Sequence, residues 1–131
     1  MGFTITGPNS FLASGHPSAE NVSPDRPPHL GLIRSTDAGT TWKTISQDGT
    51  ADFHSIQLAG ENLYAFDSQT SKVWRSVDGG ATWTATGKLP GQAAAFTAVD
   101  RRRLLAALDN GTVLESKDGG RTFVTAYTPA R

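Results

Sequence analysis

One eight-residue phrase is written three times in this chain: STDAGTTW at 35–42, SVDGGATW at 76–83 and SKDGGRTF at 116–123. The copies start 41 and then 40 residues apart. A period of about 40–45 residues, with strand-like segments inside each unit, is the sequence sign of a four-stranded propeller blade. Around each copy the strand signals recur in one order, punctuated by Gly, Pro, Asn and Asp. They fall at 3–6, 11–14, 30–35 and 41–45, then at 53–58, 63–66, 73–76 and 82–86, then at 95–99, 104–108, 113–116 and 122–127. Phe3, Phe53 and Phe96 align in the first strands, and Ala13, Ala65 and Ala107 in the second. The expected fold is all-β: a β-propeller built of four-stranded antiparallel blades, at about 1–50, 51–90 and 91–131, forming a single half-propeller without a helix.

The repeated phrase reads physically as a tight hairpin. Gly39, Gly80 and Gly120 supply the positive φ that a short turn needs, and Asp37, Asp78 and Asp118 can accept hydrogen bonds from turn amides. Ser35, Ser76 and Ser116 open the turns. Trp42, Trp83 and Phe123 follow them, where a large ring fills the wedge between neighbouring sheets. These twelve residues are therefore expected to be structural.

The pattern Ser-x-Asp-x-Gly-x-Thr-Trp resembles the Asp-box that marks the BNR repeats of sialidases and of many non-enzymatic propellers. With the GFTITGP and SGHP phrases near Phe3 and His16, the chain is similar to bacterial proteins described as sialidase-like or BNR-type glycosyl hydrolases. The resemblance covers all three units. It implies a bacterial protein and leaves an extracytoplasmic setting open. It also implies that the boxes lie away from any active site.

A sialidase-like site would use an arginine cluster, a tyrosine nucleophile assisted by glutamate, and an acid/base aspartate. Arg34 and Arg75 directly precede box serines on third strands, and the Arg-Ile-Pro phrase of the first sialidase arginine is absent. Tyr64 sits in a second strand, where an aromatic core role is expected. Asp52, Glu20 and Asp25 are the remaining candidates for a glycosidase carboxylate pair. No sialidase-type catalytic set is recognisable, which favours a non-catalytic reading and leaves catalysis itself open.

Composition excludes further classes. Twelve basic and twelve acidic side chains balance, giving no electrostatic bias toward nucleic acid or an anionic membrane. No apolar run approaches the roughly 18 residues of a membrane span. The opening MGFTITGP lacks the charged and apolar regions of a signal peptide. There is no cysteine, which excludes disulfides and thiol chemistry.

Three blades do not close a ring, because propellers close with about four to eight. An unclosed ring exposes an apolar sheet face at each end, a surface that marks association. Two copies related by a twofold axis would satisfy closure, so a homodimer forming a six-blade ring is expected.

The first unit carries a proline-rich insertion at 14–31, with Pro17, Pro24, Pro27 and Pro28. Binding tends to reside in such loops on rigid scaffolds. In an up-and-down blade this loop shares a rim with the start of each innermost strand, which gathers His16, His29, Asp52 and His54. Imidazoles with a carboxylate suit zinc, copper or nickel, and His16, His29 and His54 are the candidate metal ligands. No cofactor is required by any motif.

The leading functional expectation is a binding or assembly scaffold that presents this rim to a glycan or protein ligand. A sialidase-like hydrolase acting on glycans, a metal-binding propeller, and an excised or engineered half-propeller that self-assembles are the alternatives.

Overall fold

The computed structural model describes residues 2–16, 29–47 and 51–130. Twelve strands occur among them: β1 (Gly2–Gly7), β2 (Ser10–Ser14), β3 (Leu32–Ser35), β4 (Lys43–Ser46), β5 (Phe53–Ala59), β6 (Asn62–Asp67), β7 (Lys72–Ser76), β8 (Thr84–Lys88), β9 (Ala93–Ala98), β10 (Leu104–Leu108), β11 (Val113–Ser116) and β12 (Val124–Tyr127). Each run of four consecutive strands forms one antiparallel sheet, in the orders β1-β2-β3-β4, β5-β6-β7-β8 and β9-β10-β11-β12. The first strands line up side by side, β1 against β5 and β5 against β9. The chain is a three-bladed β-propeller segment, with no helix among the described residues.

Strand alternation splits the apolar side chains between two wedges. Leu12 and Leu32 of blade one meet Phe53, Ile56, Leu63 and Ala65 of blade two, with Trp83 packed against them. On the other side of blade two, Tyr64, Phe66 and Val73 meet Phe96, Leu104, Ala106 and Leu114 of blade three. Complete burial of each large apolar side chain contributes about 1.5–3 kcal/mol. Blade two is consequently the best-buried part of the chain, with Leu63 through Asp67 all buried.

The hydrogen-bond register corrects two sequence alignments. Phe11, Leu63 and Leu104 pair with the turn serines Ser35, Ser76 and Ser116. Counting from there, Ala13 and Ala65 correspond to Ala106 rather than Ala107. Their first-strand partners are Phe3, Ile56 and Phe96. Phe53 lies across a register irregularity in β5 and pairs with Asp67 instead. Phe53 stands three residues ahead of Ile56, so the apolar head of β5 is not the position that matches Phe3 and Phe96.

The fourth strands also begin later than their sequence signal. Thr41, Thr82 and Thr122 still belong to the turns, because their N–H groups donate to the carboxylates of Asp37, Asp78 and Asp118 at 2.8–2.9 Å.

The second and third turns are also inter-blade contacts. A methyl group on Gly80 would lie 2.2 Å from Leu32 Cδ2, and one on Gly120 would lie 2.9 Å from Val73 Cγ1. In blade one, a Gly39 methyl would meet nothing nearer among the described residues than Phe11 and Trp42 at 3.8 Å.

Candidate functional site

The three repeated turns share one hydrogen-bond pattern. In the first, the Ser35 hydroxyl donates to Asp37 Oδ1 at 2.8 Å and accepts from Gly39 N–H at 2.8 Å. Asp37 accepts from both the N–H and the hydroxyl of Thr41. The Thr41 hydroxyl, then its N–H, then the Ser35 hydroxyl hold the Asp37 carboxyl down to about 2. Asp78 and Asp118 are held at about 2 by the same groups of their own turns. Trp42 and Trp83 close the first two turns by donating to the carbonyls of Gly39 and Gly80. All three side-chain oxygens of each aspartate–serine pair are engaged within the turn, which leaves these carboxylates a closing role.

On the opposite rim, the junction of blades one and two brings together four polar residues from three separate segments. β2 ends at Ser14, whose hydroxyl accepts from Phe53 N–H at 3.0 Å and so fixes the start of β5. Leu30 N–H donates to the Gly15 carbonyl at 2.9 Å, which sets His16 beside His29. Their rings lie 5.3 Å apart, tilted by 51°.

Asp52 stands just before β5 and is 2% exposed. Its N–H donates to Asp67 Oδ1 at 3.1 Å, and its carbonyl accepts from Ser68 N–H at 3.1 Å. At the carboxylate, Oδ2 accepts from His54 Nε2 at 3.0 Å and from the Ser68 hydroxyl at 3.0 Å. His16 Nε2 lies 3.5 Å from the same oxygen. Two polar atoms here are buried without a hydrogen-bond partner among the described residues, His29 Nδ1 and Asp52 Oδ1. Leaving such a group unsatisfied costs about 1–3 kcal/mol.

All four rim residues expected from the sequence therefore meet. His16, His29 and Asp52 form the tightest set, and His54 joins it through Asp52 rather than as an equal fourth member. Ser68 and Asp67 escaped the sequence reading, as did the supporting role of Ser14. The DSQTS turn at 67–71 offers a signal for the first two, since Asp67 caps its own turn through Gln69 N–H and the Thr70 hydroxyl. In blade three the position of Asp52 is taken by Gln92, whose side chain binds the Ser68 carbonyl. Among the described residues the charged cluster thus belongs to the junction of blades one and two.

The other residues considered from sequence lie elsewhere. Tyr64 is fully buried and its hydroxyl donates to the Arg101 carbonyl at 2.5 Å. Arg34 donates to the Gly79 carbonyl at 3.0 Å, tying blade one to the next turn. Most of the 14–31 insertion, including Glu20 and Asp25, lies outside the described residues.

Solved structures share this arrangement of sheets. YCF48 from Cyanidioschyzon merolae superposes with a TM-score of 0.69 at 19% identity, over 95% of this chain and 35% of that one. A structure of YCF48 bound to D1 peptide gives 0.68 at 17% identity, over 95% and 40%. The GH74 xyloglucanase from Xanthomonas campestris gives 0.58 at 25% identity, over 95% and 18%. The chain therefore spans 35–40% of the YCF48 structures and less than a fifth of the xyloglucanase. No protein-family model and no curated protein matches it.

Proposed function

We propose that this chain is a non-catalytic binding and assembly scaffold of the Asp-box type. It closes a six-blade ring with a second copy of itself and presents the rim at His16, His29, Asp52 and His54 to a ligand. The observation that carries the assembly half of this reading is the open face of blade one. Phe3, Ile5, Phe11, Ala13, Ile33 and Trp42 share that face. At the registers of Phe3, Phe11 and Ala13, blades two and three place Ile56, Leu63 and Ala65, and Phe96, Leu104 and Ala106, all buried in the two wedges. In blade one Phe3 is 54% exposed and Phe11 and Ala13 are only half-buried, with Trp42 beside them 40% exposed. An apolar face built like two buried ones is a surface awaiting a third blade.

Blade three offers the complementary side. Ala95, Thr97, Leu105, Ala107 and Val113 line a shallow hollow of about 190 Å³ on its outer face. Small side chains there receive the rings of blade one, as Val73 and Tyr64 of blade two receive blade three. One residue departs from the internal pattern. Ser46 and Gly87, which lie directly against the Gly80 and Gly120 carbonyls of the following blade, are matched in blade three by Tyr127. Docking a second copy requires the Tyr127 ring to turn out along the face.

For the rim, a peptide or protein is the ligand class we favour. Both exposed histidines offer hydrogen bonds at the end of a rigid junction, and YCF48, of the same fold, is solved with a D1 peptide. Native mass spectrometry tests the assembly half: a dimer near twice 13.9 kDa supports ring closure. A monomer at all concentrations assigns the open face to blades of another chain. Turnover of a fluorogenic sialoside or of xyloglucan, abolished by a single carboxylate substitution, would overturn the non-catalytic reading.

A further inference from the structure

His16, His29 and Asp52 each offer one ligating atom, and the three atoms lie within 4.8 Å of one another. Two imidazoles and one carboxylate form the donor set of many zinc, nickel and copper sites. We propose that these three side chains bind one divalent transition-metal ion at the junction of blades one and two.

Three independent observations point the same way. First, the 3.5 Å between His16 Nε2 and Asp52 Oδ2 is longer than an ordinary hydrogen bond of about 2.7–3.2 Å. At that spacing an ion can sit beside both groups with bonds of roughly 2.0–2.2 Å, taken by the carboxylate through Oδ1, since Oδ2 already accepts two hydrogen bonds. Second, His29 Nδ1 and Asp52 Oδ1 are buried without partners among the described residues, and a metal ligand set is one arrangement that engages such lone pairs. Third, the carboxylate already has the outer support typical of a metal site. His54 Nε2 and the Ser68 hydroxyl both donate to Asp52 Oδ2, fixing the orientation of the group.

Elsewhere the fold holds the site in place. Asp52 is anchored through its N–H to Asp67 and through its carbonyl to Ser68. His16 and His29 are set side by side by the Leu30–Gly15 backbone bond. Local rearrangement of about 1 Å suffices to bring three atoms now within 4.8 Å onto a common ion. Three protein ligands leave the fourth tetrahedral position to water or to a donor from a bound partner. The inference is independent of ring closure, because all ligands come from one chain.

The test uses the full chain, freed of metal with a chelator and titrated with Zn²⁺ by calorimetry and with Co²⁺ by visible absorption. One ion per chain, with Co²⁺ d–d bands of tetrahedral intensity, is expected. His16→Gln and His29→Gln each lower the affinity by more than the roughly 10- to 100-fold expected of the outer-support variant His54→Gln, which keeps the one-ion stoichiometry. Circular dichroism identifies any variant that has lost its fold, and His16→Gln, at a half-exposed side chain, is the one least exposed to that failure. Absence of uptake by the folded wild-type chain overturns the proposal. So does uptake that survives the combined His16→Gln and His29→Gln change.

Discussion

Replacing each turn glycine by alanine separates the local strain of the turn from its role between blades. Gly39, Gly80 and Gly120 have φ of 90°, 95° and 88°, so a Cβ costs a similar amount at all three, about 1–2 kcal/mol. What differs is the neighbour. At Gly80 the new methyl lands 2.2 Å from Cδ2 of Leu32, a side chain with no exposed surface, and forcing it aside adds an overpacking cost of about 1–3 kcal/mol. At Gly120 the contacts are 2.9 Å to Val73 and 3.0 Å to the Thr86 hydroxyl, so the added cost is smaller. At Gly39 it is absent within one chain. Urea unfolding followed by circular dichroism should rank the losses Gly80→Ala above Gly120→Ala above Gly39→Ala, with about 1–3 kcal/mol between the first and last. A second copy docked on blade one would place Val113 against Gly39, as Leu32 lies against Gly80. The Gly39→Ala loss then grows with protein concentration. Equal losses for all three variants at the lowest concentration would refute the inter-blade role assigned to these glycines.

Three further outcomes follow from the same geometry. Trp42→Lys abolishes self-association in analytical ultracentrifugation while barely changing monomer stability, whereas Trp83→Ala, which removes a ring packed 4.9 Å from Phe53, costs about 3 kcal/mol in urea unfolding. Tyr127→Ser restores the small residue found at Ser46 and lowers the dimer dissociation constant; an unchanged or raised constant argues that blade three does not dock in the internal manner. Because Asp37, Asp78 and Asp118 sit at about 2 in the folded chain against an ordinary 3.8, their contribution is complete above pH 4 and is lost as pH falls toward 2. Substituting all three by Asn should flatten the pH dependence of the melting temperature across that window, and an unaltered slope would count against the turn hydrogen bonds as its source.

The architecture was legible because the turn phrase and the strand signals agree in period. Every strand was found from spacing and punctuation. The register was less so: Phe53 and Ala107 looked aligned by counting, but Phe53 lies three residues ahead of the matching place in β5 and Ala107 one place past it in β10, and neither offset leaves a mark in composition. The rim cluster was legible only in part. Antiparallel topology places His16, His29, Asp52 and His54 at one end, since all flank strand ends on the same side. The support from Ser14, Asp67 and Ser68 depends on side-chain directions at three chain segments, and such contacts carry no fixed spacing.

The last strand, β12, is exposed at all four residues, while the middle sheet is buried between neighbours on both sides. Since each sheet touches only the next, opening of the chain is a one-dimensional process with a direction. Amide hydrogens of β11 and β12 exchange first, those of β6 last, and the gap between them measures the coupling across a single wedge. A partner seated on either end raises the protection of that end before it alters the centre, so the exchange pattern reports which face has been covered.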